Sequence, residues 1–184
     1  KSYVEETGAT ETLDQFYGWG QLLLTDFDDL DKNMANAHDV FRNLTNLHEL
    51  DSISYLTDEQ KELLNRFFKN FSGDESRLRK RFLELWCKLE DIYNNFRQRL
   101  AEKQLAYEGM MYRDVIEHNR LNLDYDYYCF VGFNLLHVAE QKLFHIVKGQ
   151  GKALFFWDYD SYYLHGKEAG TYISKYLDKF PNAL

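Results

Sequence analysis

Tyr127-Tyr128-Cys129-Phe130-Val131 and, further on, Lys152-Ala153-Leu154-Phe155-Phe156-Trp157 are the two stretches on which the fold turns. Both are compact aromatic and β-branched runs, the composition of strands buried in a parallel sheet. Between them Phe133-Asn134 turns the chain. Val138, Leu143, Phe144 and Val147 then keep helical spacing over His137 to Lys148, closed by Gly149 and Gly151. After the second run Asp158-Tyr159-Asp160 reads as a loop, and Glu168 to Phe180 as a helix with Pro181 beyond it. Strand, helix, strand and helix with short links make a βαβα unit, so Val131 and Trp157 are expected to end adjacent parallel strands. Two strands do not make a stable parallel sheet alone. The missing strands are expected outside this chain or from another part of the fold.

Everything upstream reads as helix. Residues 1–9 look frayed, and an amphipathic helix is expected from Thr10, weakened by Gly18 and Gly20. The acidic stretch Asp26-Phe27-Asp28-Asp29-Leu30-Asp31 reads as a turn feeding carboxylates to a helix N-terminus. It lacks the mid-loop glycine and terminal glutamate of an EF-hand. Phe41, Leu44 and Leu47 continue the helical spacing. Thr57 with Gln60 forms a capping box ahead of an apolar stripe at Leu63, Leu64, Phe67, Phe68 and Phe71, which Ser72-Gly73 ends. From Asp74 to about Ala106 the seam Leu78, Phe82, Leu85, Leu89, Ile92, Phe96, Leu100 predicts one long helix. A shorter helix spans Tyr107 to His118. The fold class is therefore mainly α with a small α/β part: a helical region over 1–120, then a βαβα portion over 121–184.

Composition narrows the function. The chain has 184 residues, 45% hydrophobic and 17% aromatic, with 14 Tyr and 14 Phe, which a disordered chain would lack. No signal peptide or long apolar run is present, so a soluble cytoplasmic protein is expected, with no membrane partner. Cys87 and Cys129 sit inside apolar patterns and read as buried thiols in a reducing compartment. The formal charge of −8 argues against a surface that wraps duplex DNA. The only local basic excess is Arg77, Arg79, Lys80 and Arg81, candidates for weak contact to a DNA strand. Such charges, like Arg97 and Arg99 further along, are more often a solvated helix face. A chain that begins at Lys1 suggests a segment excised from something longer.

Catalytic motifs are missing. Gly151-Lys152 and Gly166-Lys167 lack the earlier glycine and the following Ser or Thr of a phosphate-binding loop. Glu59-Gln60-Lys61 and Glu140-Gln141-Lys142 imitate half of a PD-(D/E)xK nuclease signature, but no Pro-Asp precedes either and both fall on expected helices. His38, His48, His118, His137, His145 and His165 show no zinc spacing. No cofactor, metal or nucleophile elbow is expected.

Against this background the last sixty or so residues resemble superfamily I DNA helicases of the UvrD/Rep type. In those proteins a buried strand ends in D-E-F-Q-D and, after a helix, a second ends in G-D-D-D-Q-S. Here Phe130-Val131-Gly132-Phe133-Asn134 stands at the first motif and Trp157-Asp158-Tyr159-Asp160-Ser161 at the second. The pattern is more similar to AddB-type subunits of helicase–nuclease complexes, whose first motif reads D-G-F. Gly132-Phe133 agrees with that, and Val131 replaces the Asp. Phe16-Tyr17-Gly18-Trp19-Gly20, Asp26-Phe27-Asp28-Asp29 and Tyr107-Glu108-Gly109-Met110-Met111-Tyr112 resemble stretches of AddB-like nuclease-family proteins of Bacteroides-type bacteria.

The resemblance implies a helical insert joined to part of a RecA-like, P-loop NTPase-type motor domain, and it implies loss. Where the family's Asp holds Mg²⁺ and its Glu orients water, Val131 and Gly132 can do neither. Ser161 is too short for the γ-phosphate-sensing glutamine. Asp158 and Asp160 remain. The expected role is a non-catalytic scaffold of a parent acting in double-strand break processing and recombination repair. Its partners would be the rest of the parent chain and a helicase–nuclease partner subunit, with at most weak DNA contact. The alternative is a stand-alone helical protein–protein interaction module.

Overall fold

The computed structural model describes residues 1–8, 10, 12–42, 84–164 and 170–183. The expected capping box at Thr57 and Gln60, the stripe from Leu63 to Phe71, and the basic cluster Arg77, Arg79, Lys80 and Arg81 lie outside the described residues. So do His48, His165, Glu59-Gln60-Lys61, Gly166-Lys167 and Glu168.

The described elements are α1 (Ser2–Thr7), α2 (Leu13–Lys32), α3 (Ala37–Arg42), α4 (Leu89–Glu102), α5 (Glu108–Glu117), β1 (Tyr128–Val131), α6 (Val138–Gly149), β2 (Ala153–Phe156), α7 (Ser161–Leu164) and α8 (Thr171–Lys179). The chain is thus mainly helical with a small parallel sheet, as its patterning predicts. It divides into two compact units, Lys1–Phe27 with Ala35–Ala106, and Asp28–Met34 with Tyr107–Leu184.

In the first unit the expected frayed start is instead the helix α1. Tertiary contacts hold it where local propensity would not. The Tyr3 ring packs 4.7 Å from Phe16, Ser2 Oγ donates to Asn95 Oδ1, and Glu5 pairs with Arg99. Phe27 gathers Tyr93, Phe41 and Phe96 around itself, with Tyr93 edge-on at 5.2 Å. Trp86 closes this core against Phe41 and donates its indole N–H to the Phe41 carbonyl at 2.9 Å. The expected uninterrupted helix from Asp74 does not run through: a helical turn at 84–86 gives way at Cys87-Lys88 before α4 begins. Cys87 is exposed there, not buried.

The acidic stretch Asp26 to Asp31 is also not a turn but the last part of α2. Acids near a helix C-terminus oppose the macrodipole, which is why the pattern reads as a break. Here their neighbours offset that cost. Asp28 pairs with Lys32 at 2.8 Å and accepts the Gly109 N–H at 2.6 Å. Asp31, fully buried, faces Arg113 and accepts the Tyr107 hydroxyl.

The second unit is built on the β1–α6–β2 crossover. β1 and β2 are parallel neighbours, with Tyr128 opposite Ala153, Phe130 opposite Phe155 and Val131 opposite Phe156. The ladder extends past both ends, through Tyr128 N–H to the Lys152 carbonyl and Gly132 N–H to the Phe156 carbonyl. Residues 127–132 and 152–157 thus stand side by side as the sequence predicts. The tail beyond α8 runs along the other edge of β2, where Asn182 bridges Phe155 and Ala183 N–H donates to the Phe155 carbonyl.

One face of this sheet is packed. Phe130 lies 4.1 Å from Phe144 of α6, and Phe155 lies 5.0 Å from Phe180. Leu136, Trp157 and Tyr176 complete the cluster. Fully burying an aromatic side chain of this kind is worth about 1.5–3 kcal/mol. The opposite face departs from the expectation of doubly buried strands, because Cys129 is exposed and Val131 is 64% exposed. Alternate residues of a strand point to opposite sides, and on this second side the β1 residues are exposed while their β2 partners Leu154 and Phe156 are half-buried.

Candidate functional site: a cleft at the strand ends

Both strands stop at the same level, and the chain leaves each one through a short loop. Gly132 follows β1 with φ +73°, a left-handed conformation that suits glycine and turns the backbone sharply out of the strand. Phe133 and Asn134 follow. After β2, Trp157 turns back into the core, where its indole N–H donates to the Phe180 carbonyl at 2.7 Å. Asp158, Tyr159 and Asp160 form the second loop. Asp160 Oδ1 accepts the Tyr162 N–H at 2.8 Å, and its carbonyl accepts the Tyr163 N–H at 3.0 Å, which starts α7.

These loops enclose a cleft of about 350 Å³, lined by Gly132, Phe133, Asn134, Asp158, Tyr159, Asp160, Tyr163, Gly170 and Ile173. That is the low end of the size range of ligand pockets, ~300–1,000 Å³. Clefts beyond the carboxyl ends of parallel strands are where open α/β sheets bind ligands. Gly170 lets α8 approach α7: a Cβ there would stand 2.0 Å from the Tyr163 carbonyl oxygen. Any larger residue would push the helices apart and remodel the wall.

Five of the eight positions singled out by motif therefore come together: Gly132, Phe133, Asn134, Asp158 and Asp160. The other three do not line the cleft. Val131 is exposed at the strand end, Trp157 is a core residue, and Ser161 is exposed on the first turn of α7. Tyr159, Tyr163, Gly170 and Ile173 are lining residues that the motif comparison did not select. The Asp-Ser-Tyr-Tyr stretch at 160–163, an N-capping residue ahead of two tyrosines, is the signal that could have found Tyr163.

Chemically the cleft offers two carboxylates, three aromatic rings and an amide. Among the described residues it has no Lys or Arg in its lining, and no group of three or more His, Cys, Asp or Glu able to hold a metal ion occurs anywhere. The Gly132 N–H, which a phosphate nest would aim at a ligand, is bonded to the Phe156 carbonyl at 3.1 Å. The lysine of the Gly151-Lys152 pair donates to the Leu123 carbonyl at 2.7 Å. Glu140 of the nuclease-like triplet accepts the His137 N–H at 2.8 Å, in a cap of α6. A roomier groove of about 590 Å³ lies in the first unit. Several of its polar groups already satisfy one another, as Ser2 and Arg99 do with Asn95 and Gln98 does with Glu102, so the strand-end cleft is the better candidate.

The chain matches no family model, no curated protein and no solved structure.

Proposed function

We propose that this chain is a helicase-like segment that does not handle nucleotide. It is the helical insert and part of the first motor domain of an AddB-like protein, and it serves as a scaffold in double-strand break processing. Its task is to position a partner motor subunit or a displaced DNA strand. The observation that carries this reading is the pair of parallel strands whose carboxyl ends meet at one cleft. At the two positions where the resembling helicases place a magnesium-binding Asp and a water-orienting Glu, this chain has Val131, exposed at the end of β1 and outside the cleft lining, and the ladder-bound Gly132. Neither side chain can bind Mg²⁺ or direct a water molecule. A core retained for its shape after its chemistry has gone accounts for both halves of the observation, because fold and function are separable.

Titration calorimetry of the purified chain with Mg²⁺-ATP tests the proposal. No heat of binding is the expected result, and micromolar affinity would overturn it.

A further inference from the structure

We propose that the strand-end cleft receives a basic side chain, arginine above all, presented by a protein partner. The inference rests on the reading above only in taking the cleft to be free of nucleotide, and it goes on to say what fills it.

Three features of the lining select the occupant. The carboxylates of Asp158 and Asp160 flank one loop of a cleft whose described walls carry no cation. Phosphate entering there would meet like charge and no available backbone donor at Gly132. Phe133, whose ring also packs against Phe144 in the core, Tyr159 and Tyr163 bring aromatic side chains to the lining, and a planar guanidinium both stacks on aromatic rings and pairs with carboxylates through a fork of donors. The Asn134 side chain adds an amide carbonyl that can accept one more N–H.

The surroundings point to a macromolecule as the bearer of that group, not a free amine. Tyr162, 63% exposed, packs edge-on against Tyr163 at 5.2 Å, and Tyr172 is exposed on the first turn of α8. Lys175 lies over the Tyr172 ring at 5.9 Å and is not part of the cleft lining. A rim of exposed tyrosines around a pocket for a basic residue matches the composition of protein interfaces, where Tyr and Arg are enriched and dominate the energetics. The formal charge of −8 adds long-range attraction for a basic partner surface.

The test is a nuclear magnetic resonance titration of the whole chain, uniformly labelled with nitrogen-15. Three probes are added separately: a capped Gly-Ser-Arg-Ser-Gly peptide, the same peptide with Ala in place of Arg, and Mg²⁺-ATP. The arginine peptide is expected to shift the amides of Gly132, Asn134, Tyr159 and Tyr163 saturably, while the alanine peptide leaves them in place. Asp158→Asn with Asp160→Asn should weaken the binding at least tenfold without unfolding the chain, since asparagine caps a helix as well as aspartate does. Tyr163→Leu should weaken it and Tyr163→Phe should retain it. Equal shifts from both peptides, no shift from either, or unchanged affinity in the folded double variant would each overturn the inference and leave the scaffold reading standing. Saturable shifts from Mg²⁺-ATP would instead overturn the nucleotide-free premise, and both proposals with it.

Discussion

Asp31 Oδ1 lies 2.8 Å from Arg113 Nε, an ion pair in which the aspartate is wholly buried and the arginine side chain is 10% exposed. The Tyr107 hydroxyl donates to the other carboxylate oxygen, and Arg113 Nη2 donates to the Leu30 carbonyl at 3.1 Å. The last turn of α2 is thereby fixed to the start of α5 within the second unit. Removing one member of a buried pair strands the other without compensation. Asp31→Ala is therefore expected to destabilise the chain by about 3–5 kcal/mol. Asp31→Leu combined with Arg113→Met should recover much of that loss. Urea unfolding of the two variants checks it, and a double variant no better than the single would show that the loss does not come from stranding the arginine.

A smaller effect is expected at Tyr176, whose hydroxyl accepts the Leu136 N–H at 3.1 Å inside the aromatic cluster. Tyr176→Phe keeps the ring against Trp157 but leaves that buried N–H without its acceptor. The expected cost is about 1–3 kcal/mol. Thermal unfolding would read it as a lowered midpoint with the circular dichroism of the native state unchanged.

The group around Lys32 predicts a pH dependence. The Lys32 ammonium, bonded first to Asp28 and then to Glu108, is held well above the usual lysine range. Glu108, bonded to Lys32 and to the Tyr112 hydroxyl, is held below its ordinary 4.5. Tyr112 is raised from 10.0, chiefly by its bond to Glu108. A depressed carboxylate contributes stability that is complete above its unfolded pKa and is lost as pH falls through the folded one. The raised lysine and tyrosine contribute at neutral pH and lose that contribution only on the alkaline side. Glu108→Gln should therefore flatten the fall in melting temperature between about pH 5 and about pH 3. Parallel curves for the two proteins would rule this out.

For nucleic acid, the charge balance predicts no specific binding at physiological salt. At low salt at most weak binding of a single strand is expected, and any such binding should vanish when Arg79, Lys80 and Arg81 are all replaced by Glu, because each neutralised phosphate adds a salt-dependent increment. Fluorescence anisotropy with labelled single-stranded and duplex oligonucleotides at two salt concentrations measures this. Sub-micromolar affinity that persists near physiological salt would make the segment a DNA-binding domain.

What could be read from sequence follows the range of the interactions. β1, α6 and β2 announce themselves because each carries its own dense apolar pattern, and the turn at Phe133-Asn134 lies between them. The helix α1 does not, since Tyr3 and Glu5 are held by Phe16 and Arg99, contacts that short-range patterning does not reveal. The acidic end of α2 misleads for the same reason: the groups that stabilise Asp28 and Asp31 are Gly109, Arg113 and Tyr107, far along the chain. In the cleft, the two loops after the strands were accessible through motif comparison. The wall formed by Tyr163, Gly170 and Ile173 was not, because it exists only once α8 has closed on α7.

Cys129 sits in the middle of β1 with its side chain on the exposed side of that strand. Thiolates react with maleimides at a rate governed by access and ionisation, so this position is a built-in chemical clock for whatever comes to lie against that face. In the isolated chain its alkylation should run close to the speed of a small exposed thiol. Slowed labelling of Cys129 in a larger assembly, with Cys87 replaced by Ser to silence the second thiol, would report by kinetics alone that the exposed side of β1 has been roofed.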